Sequence, residues 1–339
     1  MRNTVKLSDI AKIHNVSVVT VSNALAGRSG VRENLRSEII STARKLGYNP
    51  PKESKSEKRV HSICILARKR WFNARDSFFW ELYRKLVVYA NARNCLIMFD
   101  LLEDDDMMIP NSVRMNKVEG IILVGRQPPD YIDRLKEECS YPVVFVDFYE
   151  ADIVCDAVIP PSFLGMYQMT NLLISAGHRD IAFVGSMSAS NSITDRYYGY
   201  LKALRAHGIE ERPYWCIEDR DVNGVINVEL PEIMPTAFAC CTDLTAVDII
   251  HKLQERGLSV PKDISVVGYD GYLPEIYRDL ELTTYAVDID EMARRGVEML
   301  IDRMSNSDLH TELMTIPGTI IPGKTVAAPL RAGSESLEE

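Results

Sequence analysis

The run Leu7-Ser-Asp-Ile-Ala-Lys-Ile-His-Asn-Val-Ser-Val-Val-Thr-Val-Ser-Asn-Ala-Leu25 predicts two short helices separated by a tight turn. The first helix spans about Leu7–Ile13, where apolar side chains recur on one face. Asn15 suits the turn because asparagine tolerates a left-handed backbone. Ser17 can cap the second helix, Val18–Ala26, by accepting a hydrogen bond from its first turn. The pattern therefore predicts a helix-turn-helix unit in this segment.

The second helix carries the side chains that we expect to contact DNA. Val21 and Leu25 lie four residues apart and should face the interior, which leaves Val18 with Ser22, and Val19 with Asn23, as exposed pairs. Exposed valines suit contact with thymine methyl groups in the major groove, and asparagine can pair with adenine there. The predicted DNA-contacting residues are Ser17, Val18, Val19, Thr20, Ser22 and Asn23. The alternative is a small helical bundle without a nucleic-acid partner.

The charge of the chain changes sharply after the third predicted helix, at about Glu33–Leu46. Residues 1–60 carry twelve basic and five acidic side chains, a net charge of +7, whereas the remaining residues carry 27 basic and 43 acidic side chains, a net charge of −16. A basic module on an acidic body favours a segment that binds a polyanion such as double-stranded DNA. Chance surface charge is the alternative explanation.

Residues 51–60 contain almost no apolar side chains, which predicts a solvated linker. Beyond it, short apolar runs alternate with helical patterns. We expect strands at 62–67, 95–101, 120–124, 142–147, 181–185, 236–241 and 264–268. We expect helices at 78–92, 130–138, 163–176, 195–207, 244–257 and 290–304. Strand–helix alternation predicts an α/β fold with parallel sheets, and the number of strands favours two doubly wound lobes.

Several classes of protein and site are not supported by the sequence. No apolar stretch approaches the roughly 18 residues that span a bilayer, and residues 1–10 lack the apolar segment of a signal peptide, so we expect a cytoplasmic protein without a membrane partner. The seven cysteines show no C-x-x-C spacing, so neither a disulfide framework nor a metal site is predicted. Gly318–Thr325 matches a phosphate-binding loop, but too few residues follow for the helix that such a loop requires, so no nucleotide cofactor is expected.

Six segments resemble the lactose-repressor (LacI/GalR) family of bacterial transcription factors, over about residues 5–329. They include the two-helix run, Leu46-Gly-Tyr-Asn-Pro50 after the third helix, and Tyr141-Pro-Val-Val-Phe-Val-Asp147 in the body. The others are Ser175-Ala-Gly-His-Arg-Asp-Ile-Ala-Phe-Val-Gly185, Asp195-Arg-Tyr-Tyr-Gly-Tyr-Leu-Lys-Ala-Leu204 and Val260-Pro-Lys-Asp-Ile-Ser-Val-Val-Gly-Tyr-Asp270 with the following Leu282-Thr-Thr284. The resemblance implies a homodimeric regulator that binds operator DNA at a pseudo-palindromic site.

The resemblance also implies a domain organisation. A DNA-binding headpiece at 1–50 and a linker at 51–60 would precede a two-lobed body at 61–332, followed by a tail at 333–339. The body would be like a type I periplasmic sugar-binding protein, with crossings between lobes near residues 160, 288 and 320. One lobe would comprise 61–160 and 289–319, and the other 161–288 and 320–332. A small-molecule effector would bind between them, at the carboxyl ends of the strands.

The expected effector-binding residues are Phe78, Asp147, Ser192, Arg196, Thr242 and Asp270. An aromatic face can stack on a sugar ring or a base, an arginine fork suits vicinal hydroxyls, and carboxylates accept from paired hydroxyls. Asp76-Ser-Phe-Phe79 falls where the family has its cleft aromatic residues; Phe79 is expected in the core, and Trp71 or Phe72 is an alternative cleft residue. Asp243 and Asp288 are further candidate carboxylates.

Three departures from the family pattern bear on mechanism. Pro161-Ser162 replaces an Asp-Asn pair, Gly323 replaces an arginine, and residues 52–59 lack the leucine with which the family's hinge helix enters the minor groove.

These observations predict a repressor of carbohydrate utilisation that is not an enzyme and is controlled by a sugar effector. The same architecture with a nucleobase or another non-sugar effector remains an alternative. A small-molecule binding protein or enzyme that merely carries a helical head is another.

Overall fold

The computed structural model describes residues 5–25, 31–46, 48, 60–72, 77–221, 224–277 and 279–330. The chain divides into two compact units, Met1–Val60 and His61–Glu339. The proposed linker falls almost wholly on residues 51–59, which lie outside the described residues, as do Asp76, Gly47, Pro50 and the tail at 333–339.

The first unit contains the three predicted helices, α1 (Leu7–Ile13), α2 (Val18–Leu25) and α3 (Glu33–Lys45). Their small apolar core consists of Ile10, Ala11, Val21, Ala24, Ile39 and Ala43. Leu25 is half-buried against it. Asn15 adopts φ 49°, in the left-handed region, so the turn between α1 and α2 forms at the predicted residue.

The first lobe of the second unit is built on a six-stranded sheet in which every neighbouring pair is parallel. Its strands are β1 (His61–Arg68), β2 (Cys95–Leu102), β3 (Gly120–Val124), β4 (Val143–Val146), β5 (Asp156–Ile159) and β11 (Leu313–Thr315), in the spatial order β11-β5-β4-β3-β1-β2. Its helices are α4 (Phe78–Ala92), α5 (Asn111–Arg114), α6 (Pro129–Glu138) and α10 (Ile289–Ser305).

The second lobe has a sheet of the same size. Its strands are β6 (Ile181–Val184), β7 (Cys216–Ile217), β8 (Ala237–Cys240), β9 (Ser265–Asp270), β10 (Thr283–Ala286) and β12 (Thr319–Ile321), in the spatial order β12-β10-β9-β8-β6-β7. β12 runs antiparallel to β10, and the other pairs are parallel. The helices are α7 (Ser162–Ser175), α8 (Asn191–Ala206) and α9 (Asp243–Glu255).

The predicted strands and helices of the body are all present, with end positions that differ by up to four residues. Sequence patterns missed β5, β7, β10, β11 and β12, which have only two to four residues each. Runs this short do not establish a period of two. The α/β fold with two parallel-sheet lobes is confirmed.

The chain crosses between the lobes three times. It leaves β5 through Pro160 and Pro161 to α7, and leaves β10 through Val287 and Asp288 to α10. The third crossing lies at 316–318, earlier than the expected position near residue 320, because Thr319–Ile321 already pairs with β10.

The structure also bears on the cysteines and the phosphate-loop motif. All seven cysteines are free, and Cys240 and Cys241 are fully buried core residues. Within Gly318–Thr325, β12 pairs with β10 and the Thr325 hydroxyl accepts a hydrogen bond from the Thr283 amide at 3.0 Å. No helix follows within residues 322–330, so this segment lacks the architecture of a phosphate-binding loop.

Gly199 sets the distance between α7 and α8, the helix that carries Arg196. A Cβ added at Gly199 would lie 2.2 Å from the carbonyl oxygen of Phe163 on α7. Because backbone cannot move aside as a flexible side chain can, we expect Gly199→Ala to lower the free energy of unfolding by about 1–3 kcal/mol. Chemical denaturation measures the loss. Arg205→Ala, at an exposed position on the same helix, is the control and should change it by less than about 0.5 kcal/mol. Equal stability of the two variants would contradict this packing constraint.

Candidate DNA-reading helix and ligand cleft

The start of α2 has the local geometry that the sequence predicts. The Ser17 hydroxyl accepts a hydrogen bond from the Thr20 amide at 3.0 Å and lies 2.8 Å from the Thr20 hydroxyl. This cap satisfies one of the unpaired amides at the helix N-terminus. Val18 and Val19 are 45% and 67% exposed, so α2 presents two apolar side chains to solvent.

Ser22 and Asn23 are half-buried rather than fully exposed, because they flank the core positions Val21 and Ala24. Asn23 has no hydrogen-bond partner for its side-chain amide among the residues that the structure describes. Its donors and acceptor therefore stay available to an external partner. The contact of these residues with DNA stays a prediction.

The second unit contains a cavity of about 530 Å³ between its two lobes. It lies at the carboxyl ends of the parallel strands, where ligands of open α/β sheets bind. All six predicted effector residues line it: Phe78, Asp147, Ser192, Arg196, Thr242 and Asp270. The fold thus brings together side chains that are up to 192 positions apart in the sequence, from Phe78 to Asp270.

Arg196 is the central charged group of the cleft and is only 4% exposed. Its Nη2 lies 3.2 Å from Oδ1 of Asp270, its Nη1 donates to the carbonyl of Cys241, and its guanidinium stacks 3.8 Å from the centre of the Tyr269 ring. The Nε is buried without a hydrogen-bond partner among the described residues. Arg196 is therefore a buried, partly satisfied cation rather than an exposed helix arginine.

Asp147 and Asp270 approach Arg196 from opposite lobes. Both adopt positive φ angles, 72° and 114°, directly after β4 and at the end of β9. Burial raises the pKa of Asp147 to about 7 and that of Asp270 to about 6, although Arg196 opposes both shifts. The Oδ1 of Asp147 is buried without a hydrogen-bond partner among the described residues. Such a group favours a ligand that donates a hydrogen bond to it.

Aromatic rings cover the first-lobe side of the cleft. Phe78 lines the cavity as predicted, and Phe79 packs against the hydrophobic core, as expected, while also lining the cavity. Trp71 lines the cavity too, with its ring 5.2 Å from that of Phe79, whereas Phe72 is buried. Phe78 and Phe79 are the first two residues of α4, and this end of the helix lies beside the cleft. Both rings therefore reach the cavity, although consecutive side chains of a helix point in different directions.

Two candidate carboxylates have structural roles. Asp243 is buried outside the cavity lining, where it accepts hydrogen bonds from the Thr284 hydroxyl and the Tyr272 amide. Asp288 caps α10 by accepting from the Glu291 amide. Thr242 lines the cavity, but its hydroxyl also caps α9 through the Thr245 amide.

Arg220 and Arg126 line the cleft, and the sequence did not single them out. Arg220 follows β7, a strand of only two residues, and Arg126 follows β3. The signal that could have identified both is their position just beyond a strand that ends at the cleft. For Arg220 this required recognising β7, which has too few residues to show a pattern.

Among the described residues, no group of three or more histidine, cysteine or acidic side chains is arranged to hold a metal ion. None of the helices in the described part of the chain combines the length and apolar character needed to cross a bilayer.

Titration of Asp147 should be visible in protein stability. Because its pKa is raised from 3.8 to about 7, the native state binds more protons than the unfolded state between these values, so this group lowers stability as pH rises through that range. Asp147→Asn removes the buried charge, and asparagine tolerates the positive φ. We expect a higher Tm than the wild type at pH 8, with a difference that shrinks below pH 7.

Thermal unfolding of the ligand-free protein across pH 4–8 checks this prediction. Asp152→Asn, at an exposed carboxylate in the following turn, is the matched control and should show no such dependence. A lower Tm of Asp147→Asn at pH 8 would mean that the ionised carboxylate stabilises the native cleft.

Family models match both units of the chain. Residues 6–51 match the model described as bacterial regulatory proteins, lacI family, and residues 170–326 match the model described as a periplasmic binding protein-like domain. A ribose operon repressor of Haemophilus influenzae is 26% identical over 325 residues, which cover 93% of this chain and 96% of the relative. An HTH-type transcriptional repressor PurR of Pectobacterium carotovorum is 26% identical over 334 residues, covering 95% and 96%.

Solved structures share the fold. The transcriptional regulator CelR in complex with cellobiose superposes with a TM-score of 0.68 at 18% identity, covering 95% of this chain and 99% of that one. The lac repressor dimer bound to operator and the anti-inducer ONPF has a TM-score of 0.65 at 20% identity, covering 96% and 100%. Together, these matches show that the chain joins a helix-turn-helix domain of the lacI family of bacterial regulatory proteins to a periplasmic binding protein-like domain.

Proposed function

We propose that this chain is a cytoplasmic transcriptional repressor that binds operator DNA through α2 and responds to a small carbohydrate bound between its lobes. The observation that carries the effector class is the unmet hydrogen-bonding capacity around Arg196: its own Nε and the Oδ1 of Asp147 are both buried without partners among the described residues. A relative named for the ribose operon and a structural neighbour with bound cellobiose support a sugar.

The cleft residues suit a polyhydroxylated ring. Asp147 offers a carboxylate oxygen that can accept from a hydroxyl, and Arg196 offers a donor beside it. The hydroxyl oxygens of Ser192 and Ser190 lie 2.8 Å apart at the start of α8. A hydroxyl can both donate and accept, so Ser192 can form a further hydrogen bond to a ligand. Phe78 and Trp71 supply aromatic surface that can pack on the apolar face of the ring. Small-molecule sites typically combine apolar and aromatic walls with a few polar groups that orient the ligand.

The same geometry explains how a ligand can act on DNA binding. Asp147 belongs to the first lobe and Arg196 to the second, so a ligand that contacts both favours the lobe arrangement in which they are close. A ligand shifts DNA affinity only by its unequal affinity for two arrangements. The lobes already touch through the Tyr149 hydroxyl, which donates to Asp195 at 3.1 Å, and through Asn191, which donates to the Tyr149 carbonyl at 2.8 Å.

The remaining features of the proposal follow from the family and the charge pattern. A homodimer would place two copies of α2 on the half-sites of a pseudo-palindromic operator. The headpiece would comprise residues 1–50, and the body residues 61–332. The proposed function involves no catalysis, no cofactor and no membrane partner.

A nucleobase effector is the second candidate, because the rings of Phe78, Phe79 and Trp71 can stack on a base as well as on a sugar. A thermal-shift screen with sugars and with purine and pyrimidine bases separates the two. A ligand at a hundredfold excess over its Kd raises stability by about 2.7 kcal/mol. Stabilisation by bases alone would reject the carbohydrate proposal, and turnover of the bound compound would favour an enzyme.

Operator binding tests the regulatory half. DNA selected from a random library by the full-length protein should bind it tightly, and deletion of residues 1–50 should abolish that binding. Retention of sequence-specific binding by the deletion variant would contradict the assignment of the headpiece.

Asn23 should determine part of the preferred DNA sequence. An asparagine paired with adenine discriminates against other bases by about 1–3 kcal/mol. We expect Asn23→Ala to change the consensus recovered by selection and sequencing, rather than merely to lower affinity. Lys45→Ala, which removes an exposed charge at the end of α3, is the control and should return the wild-type consensus. An unchanged consensus for Asn23→Ala would remove this residue from base recognition.

Arg196→Lys should separate ligand binding from folding. Lysine keeps a positive charge near Asp270 but lacks the planar fork that reaches several partners at once. Loss of a hydrogen bond to a charged group costs about 1.5–3 kcal/mol, so we expect affinity for the best sugar of the screen to fall by about tenfold or more. Operator affinity without sugar should stay near the wild type.

Titration calorimetry and a DNA-binding assay measure the two affinities. The control is Arg205→Lys, at an exposed position on the same helix, and should change neither. Unchanged sugar affinity in Arg196→Lys, together with a lower Tm and weaker DNA binding, would show that Arg196 is structural alone.

A further inference from the structure

We propose that the cleft holds a second sugar-binding subsite and that the effector is a disaccharide or a longer glycoside rather than a monosaccharide. This inference rests on the proposed function and makes the ligand class more specific. It is based on a second cavity of about 350 Å³ beside the main one. None of the six residues expected from the sequence lines this second cavity.

The two cavities are parts of one cleft. Arg70, Trp71 and Arg220 line both of them. The first two belong to the first lobe and Arg220 to the second, so the junction is enclosed from both sides. A ligand that fills the main cavity and extends past these three residues would enter the second cavity.

The second cavity has the composition of a carbohydrate subsite. Trp71 provides an indole surface, and Glu218, Asp221 and Ser188 add polar groups around it. The two arginines that line it are already paired with other carboxylates, Arg70 with Asp104 at 2.8 Å and Arg220 with Asp219 at 2.7 Å, whereas Glu218 and Asp221 add further negative charge to the lining. An anionic group such as a phosphate would meet these two carboxylates, whereas the hydroxyls of a neutral sugar can donate to them and accept from the arginines. These charges therefore disfavour an anionic ligand and favour a second, neutral glycosyl unit.

Arg220 is held rigidly at the junction. Its Nε and Nη2 donate to the two carboxylate oxygens of Asp219 at 3.0 and 2.7 Å. Asp219 is fully buried and also accepts from the Ser186 amide at 2.8 Å and the Thr245 hydroxyl at 2.7 Å. The remaining Nη1 has no hydrogen-bond partner among the described residues, so it is free to donate to a ligand that passes between the cavities. Fixing a donor in advance lowers the entropy cost of binding.

Ser188 allows the second cavity to be closed without disturbing the first. Its side chain is exposed and lines the second cavity alone, and only its backbone carbonyl is engaged, as the acceptor from Nη1 of Arg126 at 3.1 Å. Ser188→Phe would place a ring in the second cavity and leave that carbonyl in place. Met187→Phe, at the preceding exposed residue, lines neither cavity and is the matched control.

Calorimetric titration should compare disaccharides with the monosaccharides from which they are built. The panel consists of cellobiose, maltose, lactose, glucose and galactose. For the wild type we expect at least one disaccharide to bind about tenfold or more tightly than either of its component monosaccharides, which corresponds to about 1.4 kcal/mol. Ser188→Phe should remove this advantage and keep the monosaccharide affinity within about twofold, which is well below that tenfold difference. Met187→Phe should behave as the wild type.

Other results overturn the inference in distinguishable ways. If a monosaccharide binds as tightly as every disaccharide that contains it, or if Ser188→Phe weakens both equally, the second subsite is rejected while the proposed sugar-responsive repressor stands. If no sugar of the panel binds and a base stabilises the protein, both the subsite and the carbohydrate effector are rejected. Operator binding is measured on the same proteins, and its persistence would show that the regulatory proposal survives either failure.

Discussion

The burial of the Arg196 guanidinium is the constraint on which the cleft depends. A cation removed from water needs compensating partners, and here they come from two segments of the second lobe: the Tyr269 ring and the Asp270 carboxylate at the end of β9, and the Cys241 carbonyl just after β8. These partners fix α8 relative to β8 and β9. Because the Nε of the guanidinium has no partner among the residues that the structure describes, the same group that orders the lobe also favours a ligand.

The two parallel sheets make this arrangement possible. In each lobe the strands end at the edge that faces the other lobe, so side chains just beyond a strand meet in one cleft. Asp147, Arg196 and Asp270 thereby form a cluster in which Arg196 is ion-paired with Asp270, and its charge also lowers the pKa of the nearby Asp147 against the effect of burial. Burial raises the pKa values of both acids, so the ligand-free cleft keeps an energetic penalty that a hydrogen-bond donor can reduce.

The headpiece and the body divide two different tasks, and their charges differ accordingly. Residues 1–60 are basic, which suits attraction to the phosphates of DNA irrespective of sequence. The exposed valines of α2 and the side-chain amide of Asn23, which has no partner among the described residues, suit recognition of base edges, which phosphate contacts alone cannot provide. The body is acidic, and its cleft is lined by the buried charged side chains of Asp147 and Arg196.

The sequence by itself determined the order and type of the longer elements, because burial of apolar side chains leaves a period of two or 3.6 residues along the chain. It also determined the Asn15 turn, the Ser17 cap and all six residues expected to line the main cavity. It missed five of the strands that have two to four residues, and with β7 it missed Arg220. Tertiary structure decided which carboxylate faces the cleft: Asp243 and Asp270 both follow β-strand patterns, yet Asp243 is satisfied by Thr284 and Tyr272, residues that lie far from it in sequence. Local patterns record burial of apolar groups, whereas the partner of a polar group depends on contacts between distant segments, which form only when the chain has folded.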